Sequence, residues 1–263
     1  MKDADRTRYL APALTRGLDV LELLSDYAEG LTAAQISQAL ELTASQLFRI
    51  LTTLEYRRFI ARNAAGDRYH CTFRLFTIAH HHAPLARLLP AAGPLVRELS
   101  RRTRQAVLVS VRDGVRMVAV SFVPAPASVS LLVPVGQGYD LLHSSAGLFH
   151  FARERPETRA ALLVELGEAT RKEHSSRIAK AEGELQSATC LVEPSPDMSG
   201  VTNITTVVLD AAGDPIASIS VPWVERPDAP LGPTKAAEAL RGTAIDLERA
   251  LSGADDLTGE QSS

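Results

Sequence analysis

The sequence predicts an α+β protein, in which a helical unit that ends in a hairpin is joined by a helical connector to a larger domain of antiparallel strands and helices. Two observations predict this class. Apolar residues recur at helical spacing as far as about Arg57. In the second half, β-rich runs are separated by turn residues such as Asp113-Gly114, a strong hairpin signal. The 263 residues, of which 45% are hydrophobic, are enough for one or two domains with a buried core.

The first unit is predicted to contain three short helices and a hairpin. Thr32 can cap the second helix, and Thr43 with Gln46 three residues later makes a capping box before the third. The predicted elements are a helix from about Ala13 to just before Gly30, helices at Thr32–Leu40 and Ala44–Arg57, and a hairpin at Arg62–Thr72. We assign residues 13–72 to this unit and expect residues 1–12 to form a flexible tail.

The rest of the chain is predicted to form the connector and the α+β domain. The connector covers residues 73–103, and its three prolines, at positions 84, 90 and 94, must break or kink it. Strands are predicted at Ala106–Arg112, Val115–Val123, Ser128–Val135, Asn203–Leu209 and Ile216–Val221. Helices are predicted at Ser145–Leu166 with a break at Pro156, at Arg177–Ser187 and at Thr234–Leu251. The domain therefore spans residues 104–252, and residues 253–263 are expected to be a disordered tail.

The third predicted helix has two chemically different faces. Its leucines and Ile50 fall on one side, where they would pack on the first two helices. The opposite side carries polar and aromatic groups: Ser45, Arg49, Thr52 and Tyr56, flanked by Gln46 and Thr53. Arg49 is suited to guanine and Gln46 to adenine. Three short helices followed by a hairpin are the order of a winged helix-turn-helix, whose recognition helix reads bases with its N-terminal residues.

The local charge agrees with DNA binding, although the average charge does not. The formal net charge of the chain is −3, which at face value argues against a nucleic-acid partner. Between Thr43 and Arg74, however, six arginines stand against two acidic residues, a local charge of +4 that suits phosphate contacts. A solvated helix face with scattered arginines is the alternative. The candidate DNA-binding residues are Thr43, Ser45, Gln46, Arg49, Thr52, Thr53, Arg62 and Arg68.

Three segments of the first unit resemble the IclR family of bacterial transcription regulators. They are residues 14–24, Gly30-Leu31-Thr32 and residues 42–54, and a weaker likeness continues to about Leu251. The chain departs from the family at Ala44 and Phe48, where the family often has a small basic residue and a His, and near Arg58, where it often has a Gly. These departures change which bases could be read, but they do not change the predicted fold.

The resemblance implies a function for both domains. The first would bind double-stranded DNA, at a near-palindromic operator, as a homodimer or dimer of dimers. The second would be a GAF-like antiparallel-sheet domain that binds a small-molecule effector, such as an organic or aromatic acid. Two segments match pocket motifs of the family, one at residues 135–147 and the other at residues 199–207.

Five residues of these two segments are candidate effector-binding residues. His143, Ser144 and Ser145 would lie at a helix N-terminus, where hydroxyls and free N–H groups suit an anion. Ordinary N-capping by a serine is the alternative. Asn203 and Thr205 would share one face of a strand and offer hydrogen bonds to a polar ligand, unless neighbouring side chains or water satisfy them.

The other motifs indicate little chemistry. His80-His81-His82 cannot converge on one metal ion from a helix, because adjacent side chains diverge by about 100°, so we expect neither a metal nor a cofactor. Cys71 and Cys190 are expected to be thiols in a reducing compartment, although their number alone permits a disulfide. No apolar run is long enough for a membrane helix, and the N-terminus lacks a signal peptide, so we expect a cytoplasmic protein with no membrane partner.

Two further functions stay open at this point. One is an enzyme that acts on small organic acids and carries a helical accessory domain. A convergent acid, base or nucleophile would indicate it, and the sequence shows none, so the chain is expected not to be an enzyme. The other is a winged module that contacts protein instead of DNA, against which the positive patch of the third helix and hairpin argues.

Overall fold

Two units make up the chain, and they divide after Ala86. The computed structural model describes residues 10–81, 83–127, 130–226 and 229–259. Of the predicted N-terminal tail, residues 1–9 lie outside the described residues, and the first helix begins at Pro12. At the other end, the last helix continues to Gly259, into the segment predicted as a tail, and residues 260–263 lie outside the described residues.

The first unit consists of three helices and a small antiparallel sheet. The helices are α1 (Pro12–Ser25), α2 (Ala33–Ala39) and α3 (Ala44–Tyr56). The strands are β1 (Leu31–Thr32), β2 (Ile60–Arg62) and β3 (Arg68–Cys71), in the order β1-β3-β2. Strands β2 and β3 form the predicted hairpin, and the helices pack around a core that includes Val20, Ile36 and Ile60. This is a winged helix-turn-helix, in which the hairpin is the wing.

Short-range signals account for the helix starts and for one tight turn of this unit. Thr32 and Thr43 each make a capping box with the glutamine three residues later, as the sequence predicts. Gly30 has φ +68°, and a Cβ there would lie 2.4 Å from the Tyr69 carbonyl oxygen. Glycine is therefore required where the chain turns from α1 into β1.

The connector, which was predicted to be broken or kinked, consists of two helices. They are α4 (Arg74–His80) and α5 (Ala83–Thr103). Helix α5 begins at Ala83, so Pro84 lies in its first turn, where the missing N–H and the fixed φ of proline suit a helix start. Pro90 and Pro94, by contrast, lie inside α5, which continues through both.

The second unit is built on a six-stranded antiparallel sheet, which confirms the predicted α+β class. Its strands are β4 (Val107–Asp113), β5 (Arg116–Val123), β6 (Gly138–Asp140), β7 (Leu191–Pro194), β8 (Val201–Leu209) and β9 (Pro215–Val224). The order across the sheet is β6-β5-β4-β9-β8-β7, so the two halves of the domain meet where β4 pairs with β9.

One predicted strand of this sheet is wrong, and one observed strand was not predicted. In the predicted strand at Ser128–Val135, residues 130–135 are not in a strand, and the first two positions lie outside the described residues. Pro134 has no N–H for a ladder, and its carbonyl instead accepts from the Gln137 N–H in a turn. The pairing strand is β6, a few residues later. The unpredicted strand, β7, is a four-residue edge strand that ends in a proline.

Four helices complete the second unit: α6 (Ser145–Arg153), α7 (Pro156–Glu173), α8 (Ser175–Glu182) and α9 (Pro233–Gly259). Both α6 and α9 pack against β8 and β9. Phe149 and Phe151 of α6 are fully buried in a cluster that also contains Met117 of β5 and Val207 of β8. No helix in the described ranges is long and apolar enough to cross a membrane.

Candidate functional site

Helix α3 presents an exposed face of the kind that the sequence predicts. Leu47, Ile50 and Leu51 are buried in the core of the first unit. The predicted readers on the other side are all exposed: Ser45, Gln46, Arg49, Thr52 and Thr53. The periodicity of the helix therefore separates a packing face from a polar face that is open to solvent.

Three of the predicted DNA-binding residues on α3 and at its N-cap are already engaged within the unit. Thr43 and Gln46 bond to each other in the capping box, where Gln46 Oε1 accepts the Thr43 N–H at 3.2 Å. Reading adenine needs both the oxygen and the nitrogen of a glutamine amide, so only Nε2 of Gln46 is available while the box is closed. The Thr53 hydroxyl donates to the Arg49 carbonyl at 2.8 Å.

The remaining readers on α3 are Ser45, Arg49 and Thr52. Their side chains make no hydrogen bond or ion pair with the rest of the described chain, so they are free to contact a ligand. Phe48, which is 68% exposed, was not among the DNA-binding residues predicted from the sequence. Tyr56, which is 85% exposed, was placed on the polar face of α3 but was not predicted to contact DNA. An exposed aromatic ring on a recognition helix can contact a thymine methyl group.

The two wing arginines differ in their surroundings. Arg62 is exposed, with Nε 3.3 Å from the Glu55 carboxylate and its guanidinium 4.9 Å from the centre of the Tyr69 ring. Arg68 donates from Nη1 to the Gly30 carbonyl at 2.9 Å, so part of its guanidinium holds the wing to the turn after α1. Arg62 is thus the more available of the two for a phosphate contact.

The second unit contains a cavity of about 290 Å³. Among its lining residues are four of the five predicted effector-binding residues: Ser144, Ser145, Asn203 and Thr205. The fifth, His143, does not line the cavity, but its Nε2 lies 2.9 Å from Asp197, which does. The apolar wall includes Leu108, Leu132 and Pro222. The volume is at the small end of the range of ligand sites.

The serines at the start of α6 have different roles. The Ser144 hydroxyl accepts the Gly147 N–H at 3.0 Å and donates to the Asp140 carbonyl at 3.0 Å, so Ser144 caps the helix. The observed bonds therefore agree with the alternative interpretation given above, in which this serine is an ordinary N-cap. Ser145 is buried and accepts a hydrogen bond from Asn203 Nδ2 at 3.1 Å. Ser145 and Asn203 thus join the two predicted pocket motifs.

A chain of hydrogen bonds runs from this pair to the edge of the sheet. Glu193 lies opposite Asn203 in the pairing of β7 with β8. Its carboxylate accepts from Lys180 Nζ and Arg177 Nη2, each at 3.0 Å. Burial opposes ionisation of Glu193, but hydrogen bonds from Lys180 and Ser145 and the charge of Arg177 outweigh it and lower its pKa. Glu193 is therefore a carboxylate at neutral pH.

A second polar pair closes the floor of the cavity. The hydroxyls of Thr205 on β8 and Ser220 on β9 lie 2.9 Å apart and are buried. The neighbouring strand pairing places them directly opposite each other. Sequence reasoning found Thr205 but missed Ser220, Asp197 and Glu193, since no local motif indicates which residues three separate segments bring together.

A buried group of polar residues next to the cavity looks like a catalytic triad but lacks access. His150 Nδ1 lies 3.2 Å from the Ser218 hydroxyl, and its Nε2 lies 3.5 Å from Glu154, which also accepts from Arg112 at 2.7 Å. Burial, with a smaller contribution from the charge of Arg112, lowers the pKa of His150 to about 3. His150 is thus a neutral, fully buried side chain, and neither it nor Ser218 lines the described cavity.

Metal chemistry and disulfide formation have no support in the described ranges. No group of three or more His, Cys, Asp or Glu side chains within them could hold a metal ion. Cys71 and Cys190 are both free and partly buried, and burial is the main cause that raises the pKa of each thiol. His82 of the histidine run lies outside the described residues.

A winged helix-turn-helix unit followed by an antiparallel-sheet domain with a small cavity defines a class of two-domain transcription regulators. The chain belongs to the IclR family of bacterial transcription regulators. The model of the IclR helix-turn-helix domain matches residues 13–64, and that of the bacterial transcriptional regulator IclR C-terminal domain matches residues 81–248. Members of this family are DNA-binding regulators, which agrees with the prediction that the chain is not an enzyme.

Individual relatives are distant but cover most of the chain. The transcriptional repressor AllR of Escherichia coli is 23% identical over 92% of this chain and 90% of its own. An IclR homolog of Microbacterium hydrocarbonoxydans, complexed with 4-hydroxybenzoate, has a TM-score of 0.74 and 22% identity, and the likeness covers 91% of this chain and 98% of that one. HmgR of Pseudomonas aeruginosa has a TM-score of 0.71 and 22% identity, with 92% of this chain and 100% of that one covered.

Proposed function

We propose that this regulator binds a near-palindromic operator as a dimer and that a small molecule in the cavity of its second domain changes its affinity for DNA. The observation that carries the proposal is the exposed face of α3, where Arg49 is free within the described chain and lies among other exposed polar residues. Contact with chromosomal DNA requires a cytoplasmic location, as expected from the sequence.

The recognition helix would enter the major groove with its N-terminal half. Ser45, Arg49 and Thr52 would contact base edges, and Arg49 is the residue suited to guanine. The exposed ring of Phe48 adds an apolar contact at a position where the family often has a His. Arg62 in the wing would contact phosphate, which sets affinity and register without reading sequence.

Exposed apolar side chains of the first unit support the dimer. Leu14 and Leu18 on α1 are 65% and 50% exposed, and they border an apolar cavity of about 410 Å³ between α1 and α3. Phe73 and Phe76, at the start of the connector, are also exposed. Large apolar side chains exposed in this number are typical of surfaces at which proteins associate. A second copy of the chain is the partner that an operator with two half-sites requires.

The cavity between α6, β8 and β9 would hold the effector. Its polar wall of Ser145, Asn203 and Thr205 and its apolar wall suit a small molecule of mixed polarity. A structurally similar IclR homolog was obtained in complex with 4-hydroxybenzoate, which supports a small aromatic compound as the effector. An effector acts by binding the two DNA-binding states with different affinity. No described residue combination favours the alternative of an enzyme of organic acids.

The operator can be identified by selecting genomic DNA fragments that bind the purified protein at a stated salt concentration. We expect enriched fragments to share a near-palindrome whose half-sites are about one helical turn apart. Enrichment of single half-sites would contradict the dimer, and no enrichment over bulk DNA would contradict specific binding.

Arg49→Ala tests the groove assignment on the selected site. The variant should lose about 1–3 kcal/mol of operator affinity and should discriminate less at one base pair. Arg249→Ala, on the exposed side of α9, is the matched control and should bind as the parent does. If Arg49→Ala binds operator and competitor DNA as well as the parent, α3 does not lie in the groove in the proposed orientation.

A further inference from the structure

The polarity of the effector cavity points to a particular class of ligand. Resting on the proposed effector role of this cavity, we propose that it recognises a neutral group that both donates and accepts hydrogen bonds, such as a carboxamide, in preference to a carboxylate. This differs from the acid that the family resemblance suggested. Three features of the cavity carry the inference: its charge, the orientation of Asn203 and the donors at the start of α6.

The charge of the cavity wall is negative. Among the described residues that line it, Asp197 is the one carboxylate, and none is a lysine, arginine or histidine. Tyr139 also lines the cavity, but burial, opposed by the Ser110 hydroxyl, raises its pKa to about 12, so it stays neutral. A carboxylate removed from water needs compensating charge or several donors. The described residues that line the cavity include no cation for that purpose.

The nearest cations are held outside the cavity. Arg177 and Lys180 both bond to Glu193, and neither lines the cavity. His143 pairs with Asp197 from outside, and both side chains are largely exposed, so water weakens this pair and also weakens, without abolishing, the repulsion of an anion by Asp197. A ligand inside the cavity therefore meets the Asp197 carboxylate and no compensating side-chain charge.

The orientation of the Asn203 amide follows from the hydrogen-bond chain behind it. The Ser145 hydroxyl helps to lower the pKa of Glu193, and because a carboxylate can only accept hydrogen bonds, the proton of that hydroxyl is oriented toward Glu193. Ser145 Oγ then accepts from Asn203 Nδ2, as observed. The other amide atom, Asn203 Oδ1, is left without a donor among the described residues, and it presents an acceptor at the cavity wall. Glu193 thereby sets which atom of Asn203 faces a ligand.

Two acceptors and the start of α6 define complementary groups on the ligand. Asn203 Oδ1 and the Asp197 carboxylate are hydrogen-bond acceptors, so they favour a ligand group that donates, such as the NH₂ of an amide. The first-turn N–H groups of Ser145 and Ala146 find no acceptor among the described residues, and they call for an oxygen acceptor. A carboxamide supplies both groups, whereas a carboxylate supplies the acceptor alone and is repelled by Asp197.

A matched pair of probes tests the class. The full-length protein is dialysed to equilibrium against 4-hydroxybenzoate and, separately, 4-hydroxybenzamide at neutral pH, and bound probe is measured by absorbance. The two compounds share the ring and the phenol and differ in the charged group. We expect the amide to bind about tenfold more tightly than the acid.

Two variants locate the cause of the preference. Asp197→Asn removes the repulsion at an exposed position, so it should raise the affinity for the acid about tenfold and leave that for the amide within about threefold. Asp246→Asn on α9 makes the same change in net charge far along the chain and should alter neither affinity. Glu193→Gln frees the Asn203 amide to turn over, so the amide preference should fall to less than about threefold.

The outcomes separate this inference from the function on which it rests. Tighter binding of the acid by the parent protein overturns the neutral-ligand inference and leaves the effector role intact. An amide preference that persists in Asp197→Asn overturns the role given to that carboxylate. If neither probe binds at millimolar concentration, the cavity does not hold small aromatic molecules, and both the effector role and the inference fail.

Discussion

The polar side chains of the two units are arranged in opposite ways. On α3 of the first unit, Ser45, Arg49 and Thr52 are exposed and unbonded within the described chain. In the second unit, Ser145 is buried, Asn203 and Glu193 are half-buried, and these polar residues are bonded to groups of the protein itself. Exposed polar groups can exchange hydrogen bonds with water for hydrogen bonds with a macromolecular partner. The polar atoms of a cavity wall, in contrast, need hydrogen-bond partners within the protein even when no ligand is bound. The four predictions below test this contrast.

The largest effect is expected where the first unit exposes apolar groups. Leu18→Glu places a charge in the proposed dimer surface, so the protein should sediment as a monomer. Its operator affinity should fall about 100-fold or more, because the two recognition helices are no longer joined in one molecule and must bind the half-sites separately. Sedimentation velocity and a binding titration on the selected operator measure the two effects.

Val164→Glu is the matched control for this change. Val164 is an apolar residue of α7 that is 75% exposed. This variant should keep both the parent sedimentation coefficient and the operator affinity. A monomeric Leu18→Glu protein that still binds the full operator tightly would show that dimerisation is not the source of affinity.

The next effect concerns the buried polar groups of the second unit. The pKa of His150 is lowered from 6.5 to about 3 in the folded protein. Between these values the unfolded chain takes up a proton that the folded chain does not, so the folded state loses stability as the pH falls below 6.5. The loss approaches about 1.4 kcal/mol per pH unit, or about 2 kcal/mol near pH 5. Urea unfolding followed at pH 7, 6 and 5 measures it.

His150→Gln isolates this contribution from that of the carboxylates. The variant cannot take up the proton, so its free energy of unfolding should vary less between pH 7 and pH 5 than that of the parent. Equal pH dependence in both proteins would mean that His150 is hydrated or charged in the fold.

A smaller pair of effects separates the two wing arginines. Arg62→Ala should flatten the slope of log affinity against log salt by about one unit and change the stability by less than about 1 kcal/mol, since its ion pair is exposed. Arg68→Ala should also lower the stability of the first unit by about 1 kcal/mol, because it removes the bond to the Gly30 carbonyl. Salt titrations and thermal unfolding of the two variants give the comparison, and identical behaviour of both would refute it.

The smallest effect is expected at the end of α3. Arg58 has φ +60°, a left-handed conformation that is unfavourable for a side chain and natural for glycine. Arg58→Gly should raise the free energy of unfolding by about 0.5–1 kcal/mol. Arg57, with φ −79°, is the control, and Arg57→Gly should not stabilise. A destabilised Arg58→Gly protein would show that the arginine side chain contributes packing that outweighs the strain.

Local signals made the first unit predictable from the sequence. The threonine–glutamine capping boxes, the apolar stripe of α3 and the wing turn each depend on residues within one or two turns of chain. The Gly that the family often has near Arg58 also agrees with the backbone conformation found there. Even so, the bond of Arg68 to the Gly30 carbonyl could not be predicted, because the two residues are 38 positions apart and meet only in the folded unit.

The cavity was predictable only in part. The motifs at residues 135–147 and 199–207 indicated Ser145 and Asn203, but their mutual bond depends on how α6 lies on β8. Glu193 acts through the register of β7 against β8, and β7 is too short to be recognised beforehand. The strand β6 was misplaced because the apolar run before it contains Pro134 and forms a turn. Register and edge pairing are properties of the sheet, not of any single segment.

The alternation of β9 has a practical consequence for spectroscopy. Pro222 lines the cavity, and its neighbour Trp223, the one tryptophan of the sequence, is buried with an indole N–H that finds no acceptor among the described residues. The protein thus carries a single tryptophan, which can be excited selectively over the five tyrosines and lies one residue from the wall of the ligand cavity. Its emission can follow occupancy of the cavity in real time, without a label, while the DNA-binding unit contributes no tryptophan signal.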